Sequence, residues 1–151
     1  MVGNDRSREV NLAVRRVLQA GREMQAAVAA GMGVRTTDVQ AIDHVISADE
    51  PMGTVELGDR LGIRSASAAA LVDRLVETDH LRREPHPTDG RRVSLAVTEH
   101  ARAQVRQALE PLLTDIAGYT RQLNDDQADT VLDFLDHVIT AMRNYAVEAK
   151  E

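Results

Sequence analysis

The sequence predicts a mainly α-helical chain with one two-stranded β-hairpin near its middle, and three observations lead there. Apolar residues make up 43% of the 151 residues and aromatics only 2%, so the core must be aliphatic, which favours helices. Apolar residues recur at helical spacing over most of the chain. Only between Thr54 and Thr98 does the pattern change, to two short helical stretches joined through Gly62, then to alternating residues around two prolines and an Asp-Gly step.

The first helix is expected over residues 5–30. Val10, Val14, Val17, Gly21, Met24 and Val28 keep heptad spacing, widened by Leu12, Ala13, Leu18 and Ala27, and Gly31-Met32-Gly33 ends the helix. A seam this long needs a partner, either the rest of the same chain or a second copy; composition leaves both open. Thr36-Thr37-Asp38 leads into a helix from Val39 to Ile46, and 47–53 is a polar loop. A short strand near 53–55 would pair with the hairpin.

The next helix runs from Val55 to Leu61 with Thr54 as its cap, Val55, Leu57, Leu61 and Ile63 as its apolar positions, and Gly62 closing it in the left-handed conformation. A second helix starts at Ser65 or Ser67, either of which could cap it, and carries Ala68, Leu71, Val72 and Leu75 inward. Two short helices joined by such a turn form a helix-turn-helix, whose second helix meets base edges in the major groove. The residues exposed there would be Arg64, Ser65 and Ser67, with Ala66, Ala69 and Ala70 between them, and Arg74 is a further candidate on the same helix.

A strand over 80–84 and a second carrying Val93, Leu95 and Val97 enclose the loop 85–90, giving a hairpin wing. Arg82, Arg83, Arg91 and Arg92 flank that loop. Guanidinium groups on a narrow hairpin suit phosphates and the electronegative minor groove. The bland alternative is a solvated charged loop. Net charge is −6, yet residues 99–151 hold 10 acidic against 5 basic side chains, whereas 82–92 hold 4 arginines against 2 acids. The wing is thus a basic focus in an acidic protein.

Thr98 caps the following helix, with Glu99 in its first turn and a stripe of Ala101, Val105, Leu109, Leu112, Leu113 and Ile116. Pro111 inside that stripe predicts a kink or break near Glu110. Asn124 and Gln127 read as a capping pair for a last helix over 125–148, whose apolar face carries Leu132, Leu135, Val138, Ile139 and Met142.

No cysteine is present, which excludes disulfides and thiolate redox sensing. His44, His80, His86, His100 and His137 show no ligand spacing, so no metal is expected. No phosphate loop, nucleophile elbow or HExxH motif occurs, so neither a cofactor nor an enzymatic role is expected. No apolar run spans a membrane and the N-terminus is not a signal peptide, so the expected location is cytoplasmic, away from membranes.

The run L-G-I-R-S-A-S-A-A-A-L-V-D-R-L, then R-R-E-P-H-P-T-D-G-R-R and L-A-V-T, resembles the MarR family of bacterial regulators, in motif detail from about Thr36 to Thr98. The Asp89-Gly90-Arg91 wing signature followed by Leu95 to Thr98 is its specific part. Where the family often has Thr or Arg in the recognition helix, this chain has Ala68, Ala69 and Ala70, which weakens direct base reading. The resemblance implies a winged helix-turn-helix over 36–98, flanked by dimerisation helices over 5–30 and 99–148. It assigns Asp89 the orientation of Arg91 in the minor groove, through a charge-assisted bond to its guanidinium, and Arg92 a phosphate. It also implies a homodimer joined through Val10, Val14, Val17, Met24, Leu132, Leu135, Val138, Ile139 and Met142. Such a dimer would bind double-stranded DNA at a pseudo-palindrome as a repressor, and a small-molecule effector held between the first helix, the 36–46 helix and the helix after the wing would release it. Two other functions remain open at this point. One is a winged helix that binds a protein through its Ala-rich helix, which salt-independent binding would favour. The other is a small-molecule-binding helical protein without DNA binding, which a polar pocket with reactive residues would favour.

Overall fold

The computed structural model describes residues Val2 to Ala149, with side chains from Asp5 onward. The elements are α1 (Val2–Met32), α2 (Thr36–Ile46), α3 (Thr54–Leu61), α4 (Ser65–Glu77), β1 (Leu81–Pro85), β2 (Val93–Val97), α5 (Glu99–Thr120) and α6 (Asp125–Glu148). They form two compact units, one up to Leu109 and one from Glu110. Mainly helical, with one antiparallel hairpin, this is the architecture expected from the sequence. Among the described residues no helix is long and apolar enough to cross a membrane.

In the first unit the core gathers one face from each element. Ile42 of α2, Leu57 of α3, Val72 and Leu75 of α4 and Leu81 of β1 are fully buried, with Val28 and Met32 from the end of α1 and Ala101 from the start of α5. The heptad seam of α1 therefore divides. Met24 and Val28 join this core, whereas no residue from Asp5 to Ala27 is buried, and Val17 is 67% exposed. From Glu110 to Ala149, in the second unit, no residue is buried at all.

Helix starts depart from expectation in a consistent way. Gly53, not Thr54, precedes α3, and its N–H donates to the Glu56 carboxylate at 3.1 Å. Arg35 precedes α2, which begins at Thr36 instead of Val39, and its N–H donates to Asp38 Oδ2 at 3.0 Å. In both, a carboxylate in the first turn reaches back to the chain entering the helix, one half of a capping box, so no hydroxyl is needed. Neither Ser65 nor Ser67 caps α4; Arg64 precedes it, without a side-chain cap. The sequence-predicted caps of the last two helices hold. Thr98 Oγ1 accepts the Ala101 N–H at 3.1 Å, and Asn124 and Gln127 exchange bonds of 3.0 and 2.9 Å. α5 continues unbroken through Pro111.

The hairpin pairs Leu81 with Val97 through Pro85 with Val93. Its alternation is not the one expected. Val93 is exposed while Ser94 is buried, its hydroxyl donating across to the Glu84 carbonyl at 3.4 Å. No third strand forms near 53–55; the Leu95 N–H bonds the Met52 carbonyl at 2.8 Å, and the chain then turns into α3. Val55, expected to point inward, is 63% exposed.

The turn of the helix-turn-helix rests on two glycines. Gly62 adopts φ 67°, the left-handed close expected of it. Gly58 is needed for space: a Cβ there would lie 2.9 Å from the Cβ of fully buried Ala68. Gly58→Ala gains helix propensity but forces α3 from α4, and we expect net destabilisation of about 1 kcal/mol in urea unfolding, with Gly58→Ala/Ala68→Gly recovering part of it. A Gly58→Ala protein more stable than the parent would refute this account of the packing.

Candidate nucleic-acid interface

The start of α4 is an open donor surface. Its first intrahelical bond runs from the Ala68 N–H to the Arg64 carbonyl at 2.9 Å, so the N–H groups of Ser65, Ala66 and Ser67 have no partner within the helix. Arg64, Ser65, Ala66 and Ser67 are all exposed. Three donors, two hydroxyls, a guanidinium and the positive end of the helix dipole thus share one surface, which suits phosphate oxygens and base-edge acceptors. Of the three alanines in the middle of α4, Ala68 packs inward and only Ala69 and Ala70 face solvent.

The wing is tied to both helices of the helix-turn-helix. Arg83 on β1 pairs with Asp73 on α4, and Arg92, just before β2, pairs with Glu56 on α3, each at 2.5 Å. Hydrogen bonds from the Glu56 and Gly53 backbones, aided by Arg92 and opposed by desolvation, hold the Glu56 carboxyl below its ordinary range. A lowered carboxylate pKa stabilises the fold above the unfolded value and loses that contribution as pH falls through the folded one. The tether is therefore intact at neutral pH and released in acid. Arg82 pairs with Glu84 within β1.

At the tip, the Arg92 N–H bonds the Asp89 carbonyl at 2.9 Å, closing a four-residue turn. Asp89 does not hold the Arg91 guanidinium as the resemblance implied. Its Oδ1 accepts the Arg91 backbone N–H at 3.1 Å, an Asx turn that orders the main chain. Gly90 does not adopt positive φ, so the turn does not depend on glycine in that way. His86 lies in this loop, its Nδ1 3.3 Å from Thr88 Oγ1. Among the described residues the Arg91 guanidinium has no partner, which distinguishes it from the other three wing arginines.

The structure thus presents Arg64, Ser65, Ser67 and Arg91 with their polar groups open, and gives Arg92 a carboxylate partner that a phosphate would have to displace. Arg74 departs from its sequence-predicted place. It turns inward to Asp38, which is 2% exposed. Sequence reasoning missed the carboxylates that organise these arginines: Asp38, Glu56 and Asp73. Asp38–Arg74 and Glu56–Arg92 each span 36 positions, so no local spacing signals them.

The model of the MarR family matches residues 32–92, which cover α2 through the wing tip. A curated relative, the uncharacterized HTH-type transcriptional regulator YcgE of Bacillus subtilis (strain 168), is 26% identical over 125 residues, 83% of this chain and 80% of its own length. The crystal structure of RV1404 from Mycobacterium tuberculosis is 25% identical and superposes with a TM-score of 0.63 over 88% of this chain and 90% of that one. A mutant of Staphylococcus aureus MepR, solved bound to an oligodeoxyribonucleotide, shares the fold at 10% identity, with a TM-score of 0.55 over 87% of this chain and 97% of that one. Open helix N-terminus, anchored wing and family match agree: residues 32–92 form a winged helix-turn-helix similar to that of the MarR family, and the chain is similar over most of its length to an HTH-type transcriptional regulator.

Proposed function

We propose that this protein is a homodimeric repressor that binds a pseudo-palindromic operator with two α4 helices and two wings, and leaves it when a small apolar molecule binds. The observation that carries the DNA reading is one winged unit displaying both an unsatisfied α4 N-terminus with Arg64, Ser65 and Ser67 and an unpartnered Arg91 at the wing tip. The oligodeoxyribonucleotide bound by the MepR mutant supports it from a shared fold. With Ala66, Ala69 and Ala70 beside the serines, base reading reduces to a few hydrogen bonds and thymine-methyl contacts, so half-site spacing and DNA shape must supply much of the specificity.

Support for the dimer comes from apolar surface with no cover. Val10, Leu12, Val17 and Leu18 of α1 are exposed, as are Leu132, Leu135, Ile139 and Met142 of α6, while Val14 and Val138 are half-buried. An interface made from both sets would exceed about 2,000 Å², the range of obligate homodimers. Support for the effector is a cavity of about 80 Å³ between α1, α2 and the first turns of α5, lined by Met24, Val28, Val39, Ile42, Ile46 and Leu109, with Gln25 and Asp43 as polar groups. That is smaller than the roughly 150 Å³ that accepts benzene, so it would take a branched aliphatic group as it stands.

Two heads on one dimer demand half-sites about one helical turn, near 10 base pairs, apart. Selecting bound duplexes from a random pool and then lengthening the spacer by about 5 base pairs, half a turn, will turn one head away and sharply weaken binding. Equal affinity for both spacings would mean that only one head binds.

A further inference from the structure

Arg74 lies on the recognition helix yet does not serve its exposed surface. Its Nη2 donates to Asp38 Oδ1, while Asp38 Oδ2 accepts the Arg35 N–H at 3.0 Å at the start of α2. Asp38 is almost wholly buried, and Arg74 Nε is buried with no acceptor among the described residues. A pair with its carboxylate buried, its guanidinium half-buried and one donor unmet is a poor source of stability, because desolvation offsets its attraction. It is a good source of geometry, since the carboxylate is locked from two sides and the guanidinium can meet it in few orientations.

The position of Arg74 decides what that geometry controls. It follows Ser67 by seven residues, so the two leave α4 within about 20° of the same direction and roughly 10 Å apart along the axis. A tether at Arg74 therefore holds the azimuth at which Ser67 and its neighbours are presented.

We propose that the Asp38–Arg74 pair is a positioning device that sets the rotation of α4 about its own axis, and through it the base discrimination of the recognition helix, without either residue touching DNA. This rests on the DNA-binding reading above and separates from it experimentally. Because the chain has no cysteine, Ser47→Cys on the end of α2 and Ser67→Cys on α4 allow two spin labels to be placed uniquely, with labelled chains diluted into unlabelled ones. Their distance distribution is compared in the parent, Asp38→Asn, Arg74→Met and the double variant. In the same backgrounds without labels, affinity is titrated at two salt concentrations for a duplex selected by the parent and for a random duplex.

Each single substitution is expected to broaden or shift the distance distribution. Each should also weaken the selected duplex about tenfold, leave random-duplex affinity within about twofold and keep the salt slope, with the double variant no worse than either single. Asp38→Asn retains the bond to the Arg35 N–H, so it and the uncharged double variant carry the test if melting shows Arg74→Met to be unfolded. Two results overturn the proposal. One is an unchanged distance and unchanged discrimination. The other is an Arg74→Met protein that loses affinity for both duplexes with a shallower salt slope while Asp38→Asn binds normally, which would make Arg74 a phosphate contact. If the parent selects no duplex at all, the DNA reading falls, and the distance measurement still decides whether the pair holds α4.

Discussion

Replacing Leu135 and Ile139 together by glutamate will convert the protein to a monomer and weaken its binding to a two-half-site operator by about 100-fold or more, because a dimer holds its second head at an effective concentration near millimolar. Both side chains are exposed on α6, a helix with no buried residue, so the substitutions disturb no interior packing. They place four like charges in a proposed two-fold interface, where each chain meets the same patch on its copy. Arg143, four residues after Ile139, can meet only one of the two added carboxylates on each chain, so the patch still gains net negative charge. Sedimentation reads the oligomeric state, and anisotropy with one-half-site and two-half-site duplexes reads the binding. One-half-site affinity should change little. A folded monomer of the unaltered chain at micromolar concentration would reject the dimer, and a glutamate variant that still dimerises would move the interface off α6.

Arg91→Ala will cost roughly 1–3 kcal/mol of DNA affinity and reduce the salt dependence by about one ion per wing, with melting nearly unchanged. Arg82, Arg83 and Arg92 each already face a carboxylate, so bringing a phosphate to them exchanges one partner for another. Arg91 gives up only water. The structure also reverses the expectation for its neighbour. If Asp89 gripped the guanidinium, Asp89→Asn would lose affinity; since Asp89 Oδ1 accepts a backbone N–H, asparagine can do the same. Asp89→Asn should then bind within about twofold of the parent, whereas Asp89→Ala, which loosens the turn, should weaken binding toward the Arg91→Ala level. Titrations at two salt concentrations beside a melting curve distinguish these outcomes. Unchanged affinity for Arg91→Ala would remove the wing from DNA binding and favour a protein partner for α4.

Order and type of elements were legible in the residues because they follow from local pattern. Helical spacing marks α1, α4, α5 and α6, Gly62 closes α3, Asn124 with Gln127 opens α6, and an Asp-Gly step between alternating segments makes the wing. Arg64, Ser65 and Ser67 stand open at the head of α4, as their place in the helix-turn-helix predicts. What the residues could not disclose depends on contacts between distant positions. Whether Arg74 reaches out or in is decided by Asp38, 36 positions earlier, and Arg92 finds Glu56 over the same separation. Val55 and Val93 are apolar and yet exposed, Ser94 is polar and yet buried, and Gly58 is required by the methyl of Ala68. A side chain's period states which face of its own element it occupies. Only tertiary packing determines what that face meets, and so which of several chemically equal arginines is left free.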